Sequence, residues 1–298
     1  DSGSLPEVEL DQFLQRAERL LARIEALLPP APPAPDWTAR AFRWRKRQNR
    51  GHLEAVRHPH RIRLDDLREV DEQKKRIAQN TRQFVAGKSA NNVLLTGARG
   101  TGKSSLIKAV LHEFAGKGLR LIEVDKHDLA DLPEIVDLIA GRPERFILFC
   151  DDLSFEAAEP GYKALKSVLD GSIAGMPENL LIYATSNRRH LMPETMAENL
   201  QTTRAENGEI HPGETTEEKI SLSERFGLWL SFYPFDQDAY LAICEHWLTV
   251  FGVDRKSAVA TRHDIRHEAL QWALMRGSRS GRVAWQFARD YAGRHSTK

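Results

Sequence analysis

The chain contains the stretch NVLLTGARGTGKSS at residues 92–105, where an apolar, strand-like run leads through a glycine-rich turn into a helical pattern. The spacing is that of a phosphate-binding loop, G-x-x-x-x-G-K-[ST], with its fixed positions at Gly97, Gly102, Lys103 and Ser104. Glycine leaves room for backbone N–H groups around a phosphate, and the following helix directs its positive end toward it. The stretch therefore predicts a site for a nucleoside triphosphate rather than a bare turn.

Two side chains of this loop have predicted roles in triphosphate binding. Lys103 places a compact positive charge near the β- and γ-phosphates. Ser104 offers a hydroxyl to Mg²⁺, which prefers oxygen ligands and retains several waters. The predicted nucleotide-binding residues of the loop are Gly97, Ala98, Arg99, Gly100, Thr101, Gly102, Lys103, Ser104 and Ser105.

The overall composition is that of an ordinary soluble protein. The 298 residues are 41% hydrophobic and 29% charged, and the net charge of +1 gives no general attraction to nucleic acid or to anionic membranes. The longest apolar run is about five residues, so no membrane span is expected. Cys150 and Cys244 are far apart and lack metal-ligand spacing, which favours a reducing cytoplasmic location.

The first 28 residues are predicted to form an amphipathic helix. Apolar residues recur at steps of three and four from Leu10 to Leu28, with Arg and Glu on the other faces. This apolar face requires a partner, which is either the body of the same chain or another subunit or protein.

Residues 29–61 are predicted to be a proline-rich and basic linker. The segment Arg40–Arg63 carries many arginines, with Trp37, Phe42 and Trp44 interleaved. Such a pattern is typical of a surface that holds a nucleic-acid backbone and stacks on bases. The alternative is a solvated connector whose tryptophans pack on the core.

Residues 62–233 alternate between strands and helices, and residues 234–298 are helical only. Short apolar strands separated by helices predict a parallel sheet covered on both faces. The predicted strands are Val93–Thr96, Leu119–Val124, Phe146–Cys150 and Leu180–Thr185, with a further one around Leu228–Phe232. The polar segment 194–216 interrupts the pattern and is longer than a routine connection.

An acidic pair follows the apolar strand FILFC at residues 146–150. A carboxylate at a strand end beside a phosphate loop can hold Mg²⁺, and a second one can orient or deprotonate the attacking water. We assign Asp151 to the metal and Asp152 to the water, with Glu156 as a substitute for Asp152. The alternative is an acidic helix cap.

Three later positions complete the predicted site. Asn187, with Thr185 in reserve, follows the next strand and can hydrogen-bond the γ-phosphate or its water. Arg225 precedes the last strand and is placed to reach a neighbouring subunit's nucleotide, unless it forms a surface ion pair with Glu224 or Glu218. Arg282 opens the last helix and can reach back to the γ-phosphate, with Arg276 and Arg279 as rivals.

Together these features resemble the AAA+ ATPases over residues 62–293. The resemblance rests on the phosphate loop at Gly97–Ser104, the acidic strand end Asp151–Asp152, Asn187, Arg225 and Arg282. The runs FCDDLSFE at 149–156 and SERFG at 223–227 also look like a bacterial AAA+ family catalogued only as a domain of unknown function.

The resemblance implies a five-stranded parallel sheet, a helical lid at residues 234–298, and ATP with Mg²⁺ held between them. It implies a ring or filament of identical subunits, in which Arg225 acts on a neighbour's nucleotide and Arg282 moves with the lid. By the same resemblance, backbone and apolar atoms around Leu67 and Val70 contact adenine.

One segment departs from the members of this family that thread proteins through a pore. They carry an aromatic residue after the second strand, whereas residues 126–133 here contain none. The predicted function is an ATP hydrolase, fast or slow, that remodels or loads a macromolecular partner rather than threading a protein through a pore. The alternatives are a DNA-associated initiator or helicase loader, and a nucleotide-gated scaffold with little turnover.

Overall fold

The computed structural model describes residues 7–27, 34–47, 50–153, 160–171, 176–187, 222–253 and 259–295. In the helix at residues 7–27 the side chains are described for residues 11–23 only, and in the helix at residues 259–275 for residues 264–275 only. The predictions for Glu156, for Glu218 and for the polar segment 194–216 lie outside these residues.

The described residues form one sheet and eight helices. The strands are β1 (Ala41–Arg47), β2 (Arg50–Ala55), β3 (Val93–Gly97), β4 (Leu119–Val124), β5 (Arg145–Cys150), β6 (Leu180–Ser186) and β7 (Leu228–Phe232). The helices are α1 (Glu7–Leu27), α2 (Asp71–Val85), α3 (Lys103–Phe114), α4 (Leu132–Ile139), α5 (Pro160–Asp170), α6 (Gln237–Val250), α7 (Val259–Met275) and α8 (Gly281–His295). Short 3₁₀ turns cover Leu64–Asp66, Ala115–Lys117 and Lys126–Asp131.

The sheet has the strand order β2-β1-β4-β5-β6-β3-β7, and every neighbouring pair is parallel except β1 with β2. The five predicted strands are β3 to β7, and they are all parallel as expected. The inner strands β3 and β5 are apolar along nearly their whole length because helices cover both faces of the sheet. Their carboxyl ends lie at one edge, where the polar residues of the predicted site follow.

The sheet has seven strands rather than the predicted five, because the basic stretch contributes β1 and β2. Phe42 and Trp44 are each 1% exposed and alternate with Arg43, which is the period of a half-buried strand. The run is short and rich in arginine, so its composition obscured its periodicity. The indole of Trp44 donates to Asp131 at 2.8 Å. Of the two interpretations of this stretch, the packing of its tryptophan on the core is therefore the one observed for Trp44, and Phe42 and Trp44 are too buried to stack on bases.

Two apolar clusters lie on opposite faces of the sheet. Helices α2 and α3 pack on one face, through side chains such as Ile77 and Leu106. Helices α4 and α5 pack on the other, through side chains such as Ile135 and Leu165. A third cluster holds the C-terminal helices α6, α7 and α8 together, with Phe287 fully buried at its centre.

A buried polar network fixes the start of β3. The amide of Asn80 donates to the carbonyl of Asn91 at 2.9 Å and accepts from its N–H at 2.9 Å. Asn80 and Thr81 both contact the hydroxyl of Tyr183, and burial raises the pKa of that hydroxyl to about 12. These bonds join α2 to β3 and β6, and so hold the strand that leads into the phosphate loop.

The predicted apolar face of helix α1 is exposed to solvent. Phe13, Leu14, Leu20 and Leu21 are between 50% and 68% exposed, so in this chain the body does not bury them. No helix among the described residues combines the length and the apolar character needed to cross a membrane.

Candidate functional site

The phosphate loop joins β3 to α3 in a conformation that requires glycine. Gly97, Gly100 and Gly102 have φ angles of 130°, 79° and 101°. A Cβ atom on Gly97 would lie 1.9 Å from the carbonyl oxygen of Phe232, and one on Gly100 would lie 2.7 Å from the Cβ of Ser280. The loop therefore packs closely on β7 and on the residue that precedes α8, and its shape is fixed from both sides.

Lys103 lies inside this loop and is 5% exposed. Its ammonium donates to the carbonyl oxygens of Gly97 and Ala98 at 2.7 and 2.8 Å, and to Oδ1 of Asn187 at 3.1 Å. Burial lowers the pKa of Lys103 to about 8, despite the attraction of Asp151 and Asp152. The loop thus holds a cation against neutral oxygens, a setting that favours an anionic ligand.

Asp151 meets the first turn of α3 at the carboxyl end of β5. Its Oδ1 accepts from the hydroxyl of Ser104 at 2.7 Å and from that of Thr185 at 2.6 Å. The two predicted metal ligands are therefore adjacent, and they present a carboxylate and a hydroxyl to the same point. This is the oxygen chemistry that Mg²⁺ prefers.

Asp152 has a left-handed backbone, with φ of 55°. Its N–H donates to the hydroxyl of Thr185 at 2.9 Å, which holds the turn after β5. Its carboxylate accepts from the amide of Asn187, and from Arg99 at 3.4 Å. Asn187 thus joins Lys103 to Asp152, while Thr185, the reserve candidate for the role of Asn187, positions the acidic pair instead.

These residues line a cleft of about 460 Å³. Besides Lys103, six of the predicted loop residues and six other predicted site residues reach it: Arg99, Gly100, Thr101, Gly102, Ser104, Ser105, Leu67, Val70, Asp151, Asp152, Asn187 and Arg282. Leu67 and Val70 are 8% and 4% exposed and form part of an apolar wall. Gly97 and Ala98 contact Lys103 from behind the cleft.

Several apolar residues of the cleft were not predicted as site residues. Ile62, Phe235, Ile243, Trp247 and Trp285 all line it. Trp247 and Trp285 lie on helices α6 and α8, in the segment that was predicted only to be helical. The tryptophans alone carried no signal that two helices from the C-terminal cluster face the phosphate loop.

The C-terminal helices contact the phosphate loop directly. The N–H of Gly281 donates to the carbonyl oxygen of Gly100 at 2.9 Å, at the first residue of α8. Arg282 follows at the rim of the cleft. Of its rivals, Arg276 lies over the ring of Trp272, with 5.3 Å to the centroid, and neither it nor Arg279 lines this cleft.

Arg225 lies away from the cleft and forms an ion pair with Asp170, the last residue of α5. Asp170 was not among the predicted partners, which were Glu224 and Glu218, and Glu218 lies outside the described residues. The guanidinium of Arg225 is about a quarter exposed, and the Asp170 carboxylate is nearly half exposed. The pair is thus accessible from outside the chain.

Comparison with known proteins gives one family match. The model of the family described as "Protein of unknown function (DUF815)" matches residues 37–295. No curated protein matches the chain. The match confirms the resemblance to a family catalogued only as a domain of unknown function.

Solved structures of Thermotoga maritima RuvB are among those similar to this chain. One of them, a point mutant, is 16% identical, over 78% of this chain and 65% of its own, with a TM-score of 0.45. Another, the Holliday junction branch migration motor, is 15% identical, over 76% of this chain and 71% of its own, with a TM-score of 0.39. The chain thus spans less than two thirds of the first of these structures. With a family model matched over residues 37–295 of 298, this protein belongs to the DUF815 family.

Proposed function

We propose that this chain is an AAA+ ATPase that binds and hydrolyses ATP with Mg²⁺ and uses the cycle to remodel or load a macromolecular partner. The observation that carries the proposal is the meeting of Lys103, Ser104, Asp151, Asp152 and Asn187 in one cleft. These side chains supply the cation, the metal ligands, the base and the amide that triphosphate hydrolysis requires.

The nucleotide is held at both ends in this proposal. Backbone N–H groups of the loop and the Lys103 ammonium bind the phosphates, with the ammonium exchanging carbonyl oxygens for phosphate oxygens. The adenine ring packs against Leu67 and Val70, with Ile62 and Trp247 completing the apolar wall.

Ser104 and Asp151 would hold Mg²⁺. The described residues contain no group of three or more His, Cys, Asp or Glu side chains arranged to hold a metal. The other ligands in this proposal are phosphate oxygens and water, which is how Mg²⁺ is usually held at nucleotide sites. When bound, the ion neutralises charge on the phosphates.

Asp152 directs the attacking water. Its carboxylate is held by the amide of Asn187 and by Arg99, so it presents a fixed oxygen toward the cleft. A fixed carboxylate can orient a water and accept its proton. Asn187 contacts both Asp152 and Lys103, and in this proposal its amide would bond the terminal phosphate or the water.

A second copy of the chain completes the site. Arg225 lies outside its own cleft, and it would supply positive charge to the nucleotide of a neighbour in a ring or filament. The contact between Gly281 and Gly100 joins the C-terminal helices to the phosphate loop, so closure of these helices as a lid would carry Arg282 toward the γ-phosphate.

A steady-state assay of phosphate release from Mg–ATP tests this proposal. We expect turnover that requires Mg²⁺ and rises faster than linearly with protein concentration. ATP binding without release at any concentration would favour the nucleotide-gated scaffold and contradict hydrolysis.

The affinity for Mg–ATP is expected to fall about tenfold from pH 7 to pH 9. The pKa of Lys103 is about 8 in the free chain and rises on contact with phosphate, so binding above pH 8 takes up a proton. Affinity is therefore full below pH 8 and is lost as the pH rises through it. Titrations with ATP across this range measure it. Lys103→Arg is the control, because the arginine guanidinium does not titrate in this pH range. An affinity for Mg–ATP that does not change with pH in the wild type would contradict the role of Lys103.

Asp170→Asn is expected to lower the protein concentration that gives half-maximal ATPase activity by about two- to fivefold. The ion pair with Asp170 is one contact that holds Arg225 on its own subunit, and an exposed pair of this kind contributes at most about 1 kcal/mol. The matched control is Glu224→Gln, which removes an exposed carboxylate next to Arg225. Unchanged concentration dependence in Asp170→Asn would show that the pair does not restrain Arg225.

A further inference from the structure

Strands β1 and β2 form a two-stranded ribbon that extends beyond the edge of the sheet. β1 pairs with β4 only over Ala41–Arg43, whereas its pairing with β2 continues to Arg47 and Arg50. β1 is parallel to β4, so the ribbon leaves the sheet at the carboxyl edge, the edge that carries the phosphate loop. We call residues 44–47 and 50–53 the basic ribbon.

The two faces of the basic ribbon differ. Directly opposed residues share a face, which places Trp44 with Leu53 on one side, and both are buried. On that side the indole of Trp44 donates to Asp131, and Lys46 forms an ion pair with Asp131 at 2.8 Å. These contacts anchor the ribbon to the turn that follows β4.

The other face of the basic ribbon carries unbalanced positive charge. Arg45 is opposite His52, and Arg47 is opposite Arg50. Like charges directly across a strand pair destabilise it. Among the described residues, Arg45 has an ion pair with Glu54 at 3.5 Å, and no ion pair forms with Arg47 or Arg50, which are both exposed. An anionic partner would relieve this repulsion.

The chemistry of this face identifies the partner class. Guanidinium groups bind phosphates through paired hydrogen bonds, and a two-stranded ribbon fits the major groove of a duplex. The core of a protein–protein interface is apolar, whereas this face of the basic ribbon offers three arginines and the half-buried His52. Stacking on unpaired bases is unavailable, because Trp44 is buried.

We propose that the basic ribbon binds the phosphodiester backbone of duplex nucleic acid, without reading sequence. This goes beyond ATP hydrolysis and is independent of it. β1 is separated from β3 by three strands, so the ribbon lies about 20 Å from the phosphate loop. Nucleic acid and nucleotide would therefore occupy separate sites on the same edge of the sheet.

Anisotropy of a short, labelled DNA duplex, titrated with the full chain without nucleotide at about 50 to 200 mM salt, tests the proposal. We expect wild-type affinity to fall steeply with salt. Arg47→Gln with Arg50→Gln should weaken binding at least about tenfold and make the log–log salt slope shallower by about 2, since two phosphate contacts are lost. Replacing both arginines by lysine should preserve the slope.

The matched control is Arg16→Gln with Arg23→Gln, which changes the net charge equally at exposed positions of α1. This pair should bind duplex as the wild type does. Equal loss in both double variants would contradict a local site, and so would a wild-type slope shallower than about −2, a result that does not depend on any variant folding. Binding to polyglutamate or to phosphatidylserine vesicles with none to duplex would overturn the proposal and assign the ribbon to a protein or a membrane.

Discussion

Lys103→Ala is expected to weaken ATP binding by about 100-fold or more and to abolish hydrolysis, because a buried cation that contacts charged oxygens contributes about 3 kcal/mol. The ammonium of Lys103 lies within 2.8 Å of two loop carbonyl oxygens. Among the described residues, Lys103 is the only lysine that lines the cleft. Titration of the variant with ATP measures the affinity, and phosphate release measures the activity.

The fold should survive this substitution. Burial lowers the pKa of Lys103, so the charged side chain opposes folding rather than stabilising it. Thermal unfolding should therefore occur at or above the wild-type temperature, which separates loss of binding from loss of structure. Lys88→Ala, at an exposed position just before β3, is the matched control and should bind ATP normally. Wild-type affinity in Lys103→Ala would remove the loop from the nucleotide site.

Asp152→Asn is expected to bind ATP as tightly as the wild type and to hydrolyse it about 100- to 10,000-fold more slowly, which is the usual contribution of a positioned base. Asparagine tolerates the left-handed backbone at this position, where φ is 55°, and it keeps the N–H that donates to Thr185. The variant therefore loses the carboxylate and little else. Single-turnover measurements of bound ATP test it.

Asp152→Ala provides the contrast. Alanine at a left-handed position costs about 1 to 2 kcal/mol, so this variant should unfold at a lower temperature than Asp152→Asn while being equally inactive. Wild-type turnover in Asp152→Asn would transfer the base to another carboxylate, and Glu156, which lies outside the described residues, is the first to replace. The trapped Asp152→Asn complex is also the form in which the remodelled partner should be captured.

The candidate site residues were predictable because each belongs to a short, continuous motif in the sequence. Gly97 to Ser105 form a continuous motif, and the acidic pair and Asn187 each follow an apolar strand directly. Parallel strands bring their carboxyl ends to one edge, so the meeting of these groups follows once the strands are recognised. The structure places them together as predicted, including the contact between Ser104 and Asp151.

What could not be predicted depends on packing between distant segments. Thr185 positions Asp151 and Asp152 across two strands, and Asp170 pairs with Arg225 across 55 residues. Neither contact leaves a periodic signal. The ribbon was missed for another reason: β1 alternates only at its start, and its exposed half is Arg45, Lys46 and Arg47, a charged run that strand propensity alone does not favour.

The central claim is that the site works between two copies of the chain, and mixing two inactive variants tests it most directly. Arg225→Ala keeps its own nucleotide site, and Asp152→Asn keeps Arg225 for a neighbour. Each alone should be inactive at concentrations where the wild type hydrolyses ATP. In an equal mixture about a quarter of the interfaces combine an intact site with an intact arginine, and activity should return in that proportion. Wild-type turnover in Arg225→Ala alone, or a mixture as inactive as its components, would contradict the claim.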